Sequence, residues 1–200
     1  MIYELWARKE QEEEAEREAA YERALEKAFE RLKQLKQRLK PLTGDFVTPA
    51  DLRTKVVDAI KAATESIFVL VYTQIVDALL AAHDRGVRVW VIVDLSQWKK
   101  TPRMQHAMTR LTQGSISVFN SHLFVAALGS FSLSIRTEAG LMHLKVMVVD
   151  CFLVVKGSYN YTWAASEIHH EELDISCKPA RANSWTEKFG ELWQLSRAPA

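Results

Sequence analysis

Strand and helix signals alternate along most of the chain. They predict an α/β fold, a layered domain with a mixed β-sheet flanked by helices. Two observations frame that reading. Residues 2–40 contain no Gly or Pro before Pro41 and are rich in Glu, Ala, Lys, Arg and Leu, so one long charged helix precedes the domain. A hydrophobic content of 48% in 200 residues suffices for a proper core, in one domain of ordinary size plus an appendage.

The expected divisions are a helical arm over 1–40, a linker over 41–49 and the main domain over 50–197. Charge is graded along the arm. Residues 1–22 hold eight acids and three bases, and residues 23–40 hold seven bases and two acids. Acid early and base late suits the helix dipole. Tyr21, Leu25, Ala28, Leu32, Leu35 and Leu39 recur at spacings of four and three, a short coiled-coil seam. Either a partner helix covers that seam, or the arm lies on its own domain.

Pro41–Pro49 concentrates turn formers. Beyond it, Asp51–Thr64 reads as a helix with Leu52, Val56, Ile60 and Ala63 on one face, and Ser66–Tyr72 as a buried strand. Ile75–Arg85 is a helix ended by Gly86, and Val87–Asp94 a strand of continuous apolar content. Arg103–Thr112 reads as helical and Ser115–Val118 as a short strand, while Phe119–Phe131 is apolar without a clear period. Leu141–Val149 and Phe152–Lys156 form paired strands around an Asp150–Cys151 turn. Leu173–Cys177 is a further strand, and Ser184–Leu195 a closing amphipathic helix.

With 26 Lys+Arg against 25 Asp+Glu, no global basic surplus advertises nucleic-acid binding. Cys151 and Cys177 fall in apolar stretches and read as buried free thiols of a reducing compartment. No apolar run approaches the roughly 18–20 residues that span a bilayer, and the first residues lack the apolar core of a signal peptide. A cytoplasmic protein is the expectation.

One segment carries chemistry. His143 and Lys145 stand two apart, Asp150 follows five later, and Gly157, Ser158 and Asn160 come after a short apolar run. Alternation puts His143, Lys145 and Met147 on one strand face, so an imidazole and an ammonium point into the same space roughly 6–7 Å apart. That pairing suits attack on a phosphate and retention of it.

The whole pattern, H-x-K-x4-D, six residues, then G-S-x-N, resembles the signature of the phospholipase D superfamily. The order of elements from about Phe46 to Leu195 resembles its short, single-motif branch. That branch includes a bacterial endonuclease and the mitochondrial cardiolipin hydrolase/Zucchini group. The chain departs from it in two places: Thr73 and Gln74 pass straight into a helix, and Phe119–Phe131 reads as an insertion ahead of the motif.

The resemblance implies a phospholipase D-like domain and a metal-free phosphodiesterase without cofactors. Hydrolysis needs a nucleophile on one side of phosphorus and a proton donor on the other. One histidine cannot stand on both sides, and His83, His106, His122, His169 and His170 lack the H-x-K context. The branch solves this by homodimerisation, which brings two copies of His143 to a twofold axis, one becoming a phosphohistidine. Lys145, the Asn160 amide and the Ser158 hydroxyl would neutralise the phosphate oxygens. Gly157 would permit the turn that presents them. The branch also places an acid eleven residues after Asn160, at Glu171, to hydrogen-bond the nucleophilic histidine, with Glu172 the near alternative. Asp150 reads as structural, closing the turn or pairing with a base.

His169-His170-Glu171-Glu172 is a poor metal cluster, because adjacent strand residues point to opposite faces. Trp98, Lys99, Lys100 and Arg103 form a basic, aromatic loop that would grip phosphates or stack a base; a solvated loop explains it equally. Tyr159, Tyr161, Trp163, Trp90, Trp185 and Trp193 read as packing. Three functions fit: a nuclease acting on DNA or RNA, a hydrolase of a phospholipid such as cardiolipin, and a scaffold using the helical arm.

Overall fold

In the computed structural model, residues 2–70, 75–94, 102, 105–106, 109–110, 126–128, 131–136, 144–160 and 171–197 are described. The chain divides into two compact units, Met1–Arg38 and Leu39–Ala200.

The first unit is helix α1, which runs over Ile2–Leu39. Nothing in its sequence breaks a helix, and exposed pairs such as Lys9–Glu13 and Glu13–Arg17, both 3.9 Å, add a few tenths of a kcal/mol each. Tyr21, Leu25 and Phe29 are exposed on it.

The second unit is built on one eight-stranded mixed sheet. Its strands are β1 (Gly44–Phe46), β2 (Ser66–Leu70), β3 (Arg88–Asp94), β4 (Ala126–Leu128), β5 (Phe131–Arg136), β6 (Val146–Val149), β7 (Leu153–Gly157) and β8 (Leu173–Ser176). They lie in the order β1-β8-β7-β6-β2-β3-β5-β4. β2 pairs in parallel with β3, and β3 with β5; the other neighbours are antiparallel. The expected α/β class with a mixed sheet is the observed one.

Helices α2 (Pro49–Ala62), α3 (Val76–Asp84) and α4 (Pro179–Arg197) accompany the sheet. Pro49 opens α2 at a position where the missing N–H costs nothing. Gly86, at φ +88°, follows the end of α3, the conformation its sequence position implied. Arg85 binds the last carbonyls of α2, with Nη2 donating to Ile60 O at 3.1 Å and Lys61 O at 3.3 Å, which ties the two helices together.

Strand alternation divides the core between two faces. Phe68, Leu70, Trp90, Ile92, Leu144, Val146, Val148 and Val154 pack with Ala182, Trp185, Phe189, Leu192 and Trp193 of α4. Phe68 stacks on Trp90 at 4.7 Å and meets Phe189 at 5.1 Å. The odd-numbered residues Ile67, Val69, Val89, Val91, Met147 and Val149 are buried on the other side.

Several expectations change. The middle of the expected 41–49 linker is strand β1, paired with β8 through Gly44–Ile175 and Phe46–Leu173. Part of the unplaced 119–131 stretch is β4, an edge strand hydrogen-bonded to β5. β5, Phe-Ser-Leu-Ser-Ile-Arg, is a strand beyond those expected, and its period-2 alternation matches that state. Cys151 is exposed and Cys177 half-buried, so the pair of buried thiols is not what the fold contains; both are free. Cys151 occupies a hairpin tip, where its side chain has no core to enter. The expected Ser115–Val118 strand and the Thr73–Gln74 connection lie outside the described residues. Among the described residues no helix is long and apolar enough to cross a membrane.

Candidate active site

The site gathers at the ends of three adjacent strands. Lys145 immediately precedes β6, Ser158 follows β7, and Glu171 and Glu172 lead into β8. The β6–β7 and β7–β8 registers bring these ends together: Gly157 donates its N–H to Lys145 O at 3.4 Å and pairs with Leu173.

A two-residue turn fixes the far end of the β6–β7 hairpin. Asp150 and Cys151 have φ of +53° and +51°, and Phe152 N–H donates to Val149 O at 3.0 Å. This is the type I′ geometry that matches strand twist. Such angles are unfavourable for residues other than Gly, and Asp150 is held there from outside the hairpin. Its carboxylate is buried and accepts from the N–H groups of Thr64 (3.1 Å), Glu65 (2.8 Å) and Ser66 (2.9 Å), and from Thr64 Oγ1 at 3.3 Å. Asp150 N–H in turn donates to Ser66 O at 2.8 Å. The acid therefore clamps the hairpin to the α2–β2 connection. These partners stand some 85 positions earlier in the chain, a distance that leaves no local signal in the sequence.

At the working end, Ser158 is gripped on both sides. Its hydroxyl donates to the Glu171 carboxylate and accepts from Glu172 N–H at 3.1 Å, while its own N–H donates to Glu172 O at 3.2 Å. Glu171, not Glu172, turns its carboxylate inward; Glu172 is exposed and contributes its main chain.

Gly157 is needed for a reason other than a turn. Its φ is not among the positive ones, but a Cβ there would lie 2.0 Å from Glu172 O. The backbones of β7 and β8 approach too closely for any side chain.

Lys145 is buried, and burial lowers its pKa below the ordinary 10.5, while the negative charge of Glu171 pulls it partly back. Asn160 is half-buried beyond fully buried Tyr159. Lys145, Ser158 and Glu171 thus form one electrostatic unit, a cation shielded from water with a carboxylate and a hydroxyl beside it. An arriving phosphate oxygen would find the ammonium already desolvated.

His143 lies outside the described residues, as do Trp98, Lys99, Lys100, Arg103 and His169-His170. Among the described residues no group of three or more His, Cys, Asp or Glu could hold a metal ion. On the α4 side of the sheet, Leu144, Ser184, Trp185, Glu187, Lys188 and Glu191 line a groove of about 470 Å³. Two carboxylates on that groove disfavour a phosphate backbone.

Residues 56–193 match the family described as cardiolipin synthase, PLD-like domain. The mitochondrial cardiolipin hydrolase of Chlamydomonas reinhardtii is 28% identical over 74% of this chain and 60% of its own length. A phospholipase D of Rickettsia typhi is 28% identical over 72% of this chain and 64% of its own. The chain thus spans about three-fifths of these relatives' length. Among solved structures, the phospholipase D family member Nuc of Salmonella typhimurium superposes with a TM-score of 0.63 at 26% identity. That superposition covers 77% of this chain and 96% of Nuc. NucT of Helicobacter pylori, at 18% identity and a TM-score of 0.60, shares the fold. The H-x-K-x4-D and G-S-x-N elements lie inside the matched region, and the chain belongs to the phospholipase D superfamily.

Proposed function

We propose that the chain is a metal-independent phosphodiesterase that cleaves nucleic acid, DNA or RNA, at a site completed by two copies of His143. The observation that carries the chemistry is Lys145, a buried cation set beside Glu171 and Ser158 at the converging ends of β6, β7 and β8. Burying an ammonium is costly, Glu171 beside it offsets part of that cost, and an anionic substrate would add to the compensation.

In the reaction, His143 of one copy attacks phosphorus, forming a P–N bond as the P–O bond to the leaving group breaks. His143 of the partner subunit gives its proton to the departing oxygen. It then takes a proton from water, whose oxygen displaces the first histidine. Lys145 and the Asn160 amide neutralise the non-bridging oxygens. The Ser158 hydroxyl donates to the Glu171 carboxylate, so Ser158 also positions the acid. Two imidazoles and these donors provide the nucleophile, the acid and the charge compensation, so the mechanism needs no metal.

The nucleic-acid reading is supported by the resemblance of the motif and element order to the single-motif branch that includes a bacterial endonuclease, a format shared with Nuc, 96% of whose chain superposes. A phospholipid substrate is the second reading, supported by the cardiolipin hydrolase and phospholipase D names of the curated relatives. Single-stranded DNA, RNA and mixed phospholipid vesicles, each with and without EDTA, separate the two when offered to wild type and His143→Asn. We expect nucleic-acid cleavage that survives EDTA and vanishes in the variant. Cleavage of lipid alone would select the second reading, and loss of activity in EDTA would refute the metal-free mechanism.

A further inference from the structure

Apolar and charged residues on α1 are arranged about one point. Tyr21, Leu25 and Phe29 follow one another at intervals of four and are 65%, 43% and 71% exposed. Large apolar side chains left in a row on one helix flank mark an interaction surface. Toward the N terminus the same stripe continues through Glu14 and Glu10, both exposed. Toward the C terminus it is flanked by exposed Lys36. The first 22 residues carry eight acids and three bases, and the next 18 carry seven bases and two acids.

We propose that this stripe docks on the same stripe of a second copy, antiparallel, about a twofold axis at Leu25. In that register Leu25 meets Leu25 of the partner subunit, and Tyr21 meets Phe29 of the partner subunit. Glu14 faces Lys36 of the partner subunit. Each acidic half lies on a basic half, along an overlap of residues 11–39 that spans about 43 Å.

The alternatives set like charge against like. A parallel pair would place Glu10 and Glu14 against their own copies and Lys36 against its own. An antiparallel pair centred nearer Leu35 would lay the basic half on itself, and Leu35 is already buried. In the favoured register Arg17 crosses Lys33 of the partner subunit. Glu13 and Glu30 neutralise those two within their own helices. Self-association through one patch is isologous, so the arm closes on a single partner arm.

Single-cysteine cross-linking of the full chain tests the register, in a Cys151→Ser/Cys177→Ser background that serves as the blank. On mild oxidation Leu25→Cys should form a disulfide-linked dimer. Glu14→Cys and Lys36→Cys should each fail alone and link when mixed. Lys36→Glu should reduce the Leu25→Cys yield several-fold, and adding Glu14→Lys should restore it. A Glu14→Cys homodimer would mean parallel arms, and absence of the Leu25→Cys dimer would mean unpaired ones; either overturns the proposal. So would a yield unmoved by Lys36→Glu. The inference is independent of the catalytic reading: His143→Asn should leave every cross-link unchanged, so the two stand or fall separately.

Discussion

At the residue scale, the site depends on one missing side chain and one buried charge. Gly157→Ala would drive a methyl into Glu172 O, which is backbone and cannot rotate away. The start of β8 must shift, carrying Glu171 with it. We expect a loss of about 1–3 kcal/mol by chemical denaturation, together with a fall in kcat. On the proposed mechanism, Lys145→Met removes the charge that would meet the phosphate, so activity should fall by about 10²–10³. The pKa of Lys145 predicts the alkaline limb. Burial holds it below 10.5, so kcat/KM should decline with rising pH earlier than an exposed lysine would dictate. Glu171 raises that pKa, so Glu171→Gln should move the limb to still lower pH; a limb that moves upward would sink the assignment. The motif residues were legible because their types and spacing are local. The reason for Gly157 was not, since the obstructing carbonyl belongs to another strand.

At the element scale, the β6–β7 hairpin is held by Asp150. Asp150→Ala would strand three N–H groups, those of Thr64, Glu65 and Ser66, in a shielded turn. At about 1–3 kcal/mol for each unpaired group, the loss should reach about 3 kcal/mol or more. By calorimetry that is a drop of about 6–12 °C for a chain of this size. Gly190 offers the opposite case. It lies within α4, exposed, and a Cβ there meets nothing within 4 Å. Gly190→Ala should stabilise by about 0.5–1 kcal/mol and leave activity unchanged. Helices α2, α3 and α4 and strands β2, β3, β6, β7 and β8 were legible from periodicity and turn residues. β1 escaped because Gly-Asp-Phe has no period to read, and it is a strand only because β8 presents a free edge.

At the scale of the whole molecule, the proposed mechanism makes assembly part of the reaction, since each chain carries one H-x-K histidine, His143. Co-expression with an excess of His143→Asn chains should depress the activity of tagged wild-type chains, because mixed pairs lack one of the two imidazoles. Activity that merely tracks the wild-type dose would show a complete site in each copy. By itself the sequence determined the α/β class, the long charged helix and the motif that places the chain in its superfamily. These rest on composition, on periodicity and on spacings of a few residues. Only the tertiary structure decided that Asp150 clamps a distant turn, that Glu171 rather than Glu172 faces Lys145 and Ser158, and that Gly157 answers a neighbouring strand. Each of those depends on which strand lies beside which, and strand order is set by packing between segments far apart in the chain.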